Sequence, residues 1–501
     1  MTNDPRTQRL VGAVIGMTVI AAGCSTTVIE PDPETIGQPA ITDAPADDEN
    51  ATQDPPADDP TSTSVPADGE LQLFTDSFGW FEIDRSQVEV YTEGHFAYWW
   101  DARFDSLEQA KSLAAVAAEV QADLSALGVG PPGAHAAGYY TNVFLHRGDD
   151  DVFPGFFGNG TGYEGDDEGG GPVFAYLAYP FDEELAANRV NLFHELFHVF
   201  QGTKTYDGVA LDDIDGPFER AWIVEAMAEW YQMSRVGHEQ DRAFENVHSI
   251  AASPELPLWT FFPRVDTEGG AFTEAEAEAL DYAAGIRQYA NGAFLYYLTD
   301  VVGVDAELLL EAMYLDPDRT PQEILSERLG ADTFRAHYTA WAAGNAAGFD
   351  YVTPAQAERA RATFESFTDT APAGALRPFA IDLDGAAAVG SHMPVESHRP
   401  GAWAYNVARV SNPQPGGSTF ALTGDPTGSA GTPSHFELRI VIRSDDGSTR
   451  QVDATMADDR NGSVTVDVGR DDVEVLVVIA STPDSFVGET ETFGYSLSID
   501  A

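Results

Sequence analysis

His194 and His198 stand four residues apart in the segment His194-Glu195-Leu196-Phe197-His198. On a helix that spacing puts both imidazoles on one face, where they can share one tetrahedral metal ion. Glu195 between them then reaches a water in the open coordination position, and zinc is the expected metal for two imidazoles and a carboxylate. Zinc lowers the pKa of such a water towards ~7, and the carboxylate takes its proton as the oxygen attacks a carbonyl. Short motifs also recur by chance, so the plain alternative is a helix whose two histidines pack among Phe193, Phe197 and Phe200. A second segment argues against that alternative. In Trp222-Ile223-Val224-Glu225-Ala226-Met227-Ala228-Glu229-Trp230 two carboxylates stand i and i+4 on an expected helix.

Taken together, the two segments resemble the gluzincin metallopeptidases, the group that holds thermolysin, the zinc aminopeptidases and the bacterial collagenases. There a glutamate on a later helix completes the zinc site, in a stretch like Trp-x-x-Glu-Gly-x-Ala-x-Tyr. The resemblance implies that His194, His198 and Glu225 bind zinc, that Glu195 is the general base, and that Glu229 orients the first histidine. Glu229 as ligand in place of Glu225 is the rival assignment. Ala226 replaces the usual glycine, and the interval between His198 and Glu225 is longer than in thermolysin and closer to the collagenase pattern. The insert at 201–218 is expected to be a loop carrying Asp212, Asp213 and Asp215.

Further on, Tyr289-Ala290-Asn291-Gly292-Ala293 is similar to the Tyr-x-x-Gly-Ala segment of the zinc aminopeptidases, whose tyrosine hydroxyl stabilises the oxyanion. Tyr289 takes that role by resemblance, with Tyr282 as the other candidate. The aminopeptidase stretch Gly-x-Met-Glu-Asn, which captures a free substrate amine, is missing, and Gly169-Gly170-Gly171-Pro172-Val173 occupies the comparable place. Endopeptidase cleavage of proteins or peptides is therefore expected. Residues 174–179 are a candidate edge strand for an extended substrate, or else an ordinary interior strand.

Positioning these residues requires helices for 182–200, beginning with Asp182, Glu183 and Glu184 as first-turn acids, and for the Glu225 segment. Before them, strand patterns are expected at 80–91, 95–100, 139–145 and 173–179. A helix follows Asp105 and Glu108, which offer a capping-box pair, and stops at Gly128. The Gly- and Asp-rich stretch 155–171 reads as a long mobile loop, and without a lysine it is not a phosphate-binding loop. Helical spacing continues through 274–280, 284–298 and 306–313. This order predicts an α+β catalytic domain of thermolysin-like arrangement over 71–370. Alternating segments at 436–443, 463–468 and 473–479, with an Asp445-Asp446-Gly447 turn, predict a C-terminal β-sandwich over 376–501, similar to accessory domains of secreted bacterial peptidases.

The remaining sequence speaks to location. Arg6 and Arg9 precede an apolar run over 10–22, too short to span a bilayer comfortably, which reads as a signal peptide over 1–23. It ends Ala21-Ala22-Gly23-Cys24, resembling the bacterial lipobox, so Cys24 is expected to carry lipid and anchor the chain outside the cytoplasm in the cell envelope. Residues 24–70 have the composition of an acidic disordered tether. Cys24 is the single cysteine of 501 residues, which excludes an internal disulfide framework. A net charge of −56, with 82 acidic against 26 basic residues, repels nucleic acid. The clusters Asp149-Asp150-Asp151, Asp166-Asp167-Glu168 and Asp212-Asp213-Ile214-Asp215 are candidate calcium sites or solvated loops. Besides an active peptidase, two functions fit the sequence: another zinc hydrolase on the same scaffold, and a surface binding protein with a vestigial site.

Overall fold

The structure is a computed structural model. It describes residues 71–73, 84–133, 138–147, 152–153, 160–164, 174–180, 185, 188–205, 222–237, 244, 246–260, 287–313, 319–370, 378–486 and 491–500. Chain contacts gather Leu71–Ala501 into one compact unit. The expected signal peptide over 1–23, Cys24 and the expected tether over 24–70 lie outside the described residues. Among those described, no helix is long and apolar enough to cross a membrane.

The first sheet comprises β1 (Val88–Glu93), β2 (Phe96–Asp101), β3 (Thr141–His146), β4 (Gly160–Glu164) and β5 (Phe174–Pro180) in the order β1-β2-β3-β5-β4. Strands β2, β3 and β5 run parallel, with β1 and β4 antiparallel at the two edges. Every residue of β2 and β3 is buried, as parallel interior strands require. Their side chains divide by alternation: Phe96, Tyr98 and Trp100 enter the main core, while Ala97 and Trp99 join a smaller cluster with Phe144 and Phe153. Helix α1 (Leu107–Ala126) supplies the crossover between β2 and β3 and buries Leu113, Ala117, Val120 and Leu124 along one stripe.

Several expectations change here. The N-cap of α1 is Ser106, without a side-chain cap bond, so Asp105 and Glu108 form no capping box. Gly128 ends the helix as expected, at φ +79°, a left-handed conformation that costs glycine little. The stretch 155–171 is not wholly a loop, because Gly160–Glu164 pairs with β5 as an edge strand. That pairing makes 174–180 an interior strand and, among the described residues, puts β4 at the edge.

The helical layer follows. Helices α2 (Arg189–Thr205) and α3 (Trp222–Val236) pack against each other, with α2 also against β5 and β4. Helix α2 begins after the expected first-turn acids and has none in its first turn, and it continues through 201–205, where a loop was expected. Beyond α4 (His248–Ala252), the segment of Tyr289 forms α5 (Arg287–Ala290) and α6 (Gly292–Tyr296), continued by a π-helical turn at Tyr297–Val302; both α5 and α6 pack on α3. Helices α7 (Ala306–Met313), α8 (Pro321–Leu329), α9 (Ala331–Ala346) and α10 (Pro354–Thr370) complete the layer. Thr320 and Glu323 form a full capping box ahead of Pro321 at the start of α8. The expected helix at 274–280 lies outside the described residues.

The C-terminal part is two five-stranded sheets. One is ordered β11-β10-β14-β8-β6, from β6 (Ile381–Asp384), β8 (Ala404–Ser411), β10 (Phe436–Ser444), β11 (Thr449–Asp453) and β14 (Asp472–Ser481). The other is β12-β13-β9-β15-β7, from β7 (Gly390–His392), β9 (Gly416–Gly424), β12 (Thr455–Met456), β13 (Asn461–Val468) and β15 (Tyr495–Asp500). Buried and exposed residues alternate along β13, the signature of a sheet with one dry face. Gly447, at φ +83°, turns β10 into β11. Helix α9 packs on β10 and β14, so the helices and these two sheets share a core. The described residues form a mixed fold, helices with three sheets, compatible with the α+β class.

Candidate metal centre

The i, i+4 spacing on α2 sets the two histidine rings 4.7 Å apart at 83° to each other. Their Nε2 atoms are 3.1 Å apart, and each is 3.2 Å from Glu225 Oε2, which α3 delivers from across the helix pair. Three atoms with lone pairs therefore form a nearly equilateral triangle in a buried place. A tetrahedral metal with bonds of ~2.0–2.1 Å holds its ligand atoms about 3.3 Å apart, so the donor set fits one ion without rearrangement. Among the described residues no other three His, Cys, Asp or Glu side chains converge in this way.

The three groups shift one another's protonation. Burial opposes protonation of His198, but the charge and hydrogen bond of Glu225 prevail and push it up to about 9. Burial likewise works against the charge on Glu225, yet the two histidines hold its carboxyl far below the usual carboxylate range. His194 is raised against its own burial by the Glu225 hydrogen bond.

Around the triangle stand the groups that orient it. His198 Nδ1 donates to Gln201 Oε1 at 2.8 Å, which leaves Nε2 to face His194 Nε2 and Glu225 Oε2. The Gln201 amide then donates to Val224 O at 3.1 Å, which ties the orientation of His198 to the backbone beside Glu225. Gln201 was missed in the sequence; its signal was the i+3 spacing from His198, on the same helical face. On the opposite side, Glu229 Oε1 lies 3.7 Å from His194 Nδ1, too long for a hydrogen bond but facing that atom. Its carboxylate accepts from Gln232 Nε2 at 2.5 Å and Asn246 Nδ2 at 3.0 Å, and burial pushes it up to about 7. Glu225 thus occupies the triangle and Glu229 stands behind it.

Glu195 is half-buried on α2, and its charge is felt at His194, His198 and Tyr289. The ring of Tyr289 lies 5.8 Å from that of His194. Burial, then the charges of Glu225, Glu195 and Glu229, push its hydroxyl well above the usual range. Tyr282, Cys24 and the three acidic clusters lie outside the described residues.

No family model matches the chain, and no curated protein matches it. Among solved structures, BtGH115A, a family GH115 4-O-methyl-alpha-glucuronidase with specificity for decorated arabinogalactans, aligns at 11% identity and a TM-score of 0.13. The alignment covers 64% of this chain and 46% of that one, less than half its length, and at this score it carries no argument about fold or function.

Proposed function

We propose that the chain is a zinc-dependent peptidase of gluzincin type, with a thermolysin-like catalytic arrangement, acting on internal bonds of proteins or peptides outside the cytoplasm. The observation that carries this reading is the triangle of His194 Nε2, His198 Nε2 and Glu225 Oε2, with edges of 3.1 to 3.2 Å and Glu195 beside it. A zinc ion held there supplies Lewis acidity and lowers the pKa of water. Glu195 accepts the proton of the attacking water and passes it to the leaving amine. The Tyr289 hydroxyl donates to the carbonyl oxygen as it gains charge, a bond strongest in the transition state. Among the described residues β4 is an edge strand packed beside α2, and such an edge offers main-chain groups to an extended substrate, consistent with endopeptidase action. In this reading Cys24 carries the lipid anchor.

The test is an assay of the chain lacking residues 1–24 on N-terminally blocked peptides, before and after a chelator, with metal content measured by mass spectrometry. Stoichiometric zinc and chelator-sensitive cleavage of blocked peptides support the reading. Zinc without peptide cleavage would point to another hydrolase, absence of zinc from protein grown with it to a vestigial site, and release of single N-terminal residues to an exopeptidase.

A further inference from the structure

Tyr289 stands on a helix of only four residues, which packs on α3 and also grips a second segment. Arg287 is fully buried, and its guanidinium donates to Ser253 O at 3.0 Å, Leu256 O at 2.9 Å and, more weakly, Ile250 O at 3.4 Å. One turn on, the Asn291 amide donates to Leu258 O. The i, i+4 pair therefore holds one segment, residues 253–258, by carbonyls spaced along it. That strap is bonded on its other side to the sandwich. Tyr405 N donates to Pro254 O at 3.0 Å, Gly401 N to Glu255 O at 2.9 Å, and Leu258 N to Trp403 O at 3.0 Å.

The sandwich end of this path is itself fixed. Trp403 has φ +51°, a left-handed conformation that side chains rarely adopt, and it persists because the surroundings determine it. Its N–H donates to Ser481 O at 2.7 Å, its carbonyl also accepts from Tyr338 Oη at 2.6 Å, and its buried ring lies against Phe334 and Phe486. Gly401 lies so close to the strap that a Cβ there would stand 2.7 Å from Pro257 Cγ. None of these contacts involves His194, His198 or Glu225.

We infer that the β-sandwich is a working part of the active site: its 401–405 segment, acting through the 253–258 strap and the grip of Arg287 and Asn291, positions Tyr289 over the metal centre. The inference rests on the peptidase reading for what Tyr289 does, but the grip itself is independent of it. Arg287, Asn291 and Gly401 are positioning residues, acting on turnover through the Tyr289 hydroxyl.

The test is a double-mutant cycle combined with hydrogen exchange. Gly401→Ala adds one methyl group in the sandwich that must displace the strap; Arg287→Lys keeps the charge but loses the two-pronged grip, and serves if the first variant folds poorly. In each, amide exchange of the peptide covering residues 287–298 should speed up by about tenfold or more, with zinc content retained. Turnover should fall about three- to tenfold with KM unchanged, because a misplaced donor weakens the transition state selectively. In a Tyr289→Phe background the same substitutions should change kcat by less than about twofold, since the group they act through is gone. Unaltered exchange at 287–298 in both variants overturns the inference, as do kcat losses that multiply with that of Tyr289→Phe. If the wild-type protein with zinc cleaves no peptide, the peptidase reading falls, and exchange alone decides whether the sandwich positions this helix.

Discussion

A Cβ on Gly292 would stand 2.5 Å from the Cβ of Glu229 and 2.8 Å from the carbonyl oxygen of Ala226, so α6 lies against α3 because residue 292 has no side chain. The glycine that follows Tyr289 by three residues thus acts by permitting close helix contact. Gly292→Ala should destabilise the protein by about 1–3 kcal/mol and reduce kcat by pushing Tyr289 from the site. Tyr289→Phe should instead lower kcat by about 10²–10³ with melting temperature and zinc content unchanged. Thermal melts and kcat for the two variants separate these effects. Wild-type turnover in both would remove Tyr289 from the mechanism.

The ligand triangle makes distinct demands on its neighbours. His194→Ala, His198→Ala and Glu225→Ala should each lose stoichiometric zinc, whereas Glu195→Gln should keep zinc and lose turnover. Glu229→Ala should bind zinc about 10–100-fold more weakly, as expected for a group that orients a ligand. Native mass spectrometry reads all five variants. Full occupancy in Glu225→Ala with none in Glu229→Ala would exchange their assignments.

Gln201 is a prediction that arises from the structure. Gln201→Leu removes the acceptor of His198 Nδ1 and should weaken zinc binding about 10–100-fold. Gln201→Glu restores an acceptor and should recover much of that loss. Competition with a fluorescent chelator measures both, and equal affinity of the leucine variant and wild type would show that His198 needs no partner here.

Zinc uptake should depend on pH through the proton it displaces. In the zinc-free protein the raised His198, ordinarily 6.5 and here about 9, stabilises fully below pH 6.5 and progressively less as pH rises through 9. The depressed Glu225 contributes above its ordinary 4.5 and loses that contribution as pH falls through its lower folded value. The pair is therefore most stabilising between pH 4.5 and 6.5. From pH 6.5 to 9 the melting temperature of the zinc-free protein should decline, and the gap to the zinc-loaded form should widen. A gap that is constant across that range would contradict a protonated His198.

At the lipobox-like segment, Cys24→Ala should abolish incorporation of labelled fatty acid and release the protein from the membrane fraction. Undiminished labelling of the variant would dismiss the lipobox reading.

Local spacing was enough to place His194, Glu195 and His198 on one helix, because a helix fixes neighbours three and four residues apart whatever surrounds it. Strand-type composition marked β2 and β3, alternation marked β10, β13 and β14, and helical spacing marked α7, since burial imposes its period and its residue types on the sequence. What no local pattern contains is which elements meet. That Glu225 enters the triangle while Glu229 stands behind His194 depends on the rotation of α3 against α2, set by packing across the whole layer. The edge position of β4 and the interior position of β5 follow from strand pairing, which a Gly-rich stretch with little alternation does not announce. The grip of Arg287 on carbonyls some 31 to 37 residues earlier in the chain, and the link from there to Gly401, exist only in the folded molecule. Backbone carbonyls are the same at every residue, so a sequence cannot say which of them a buried side chain will find.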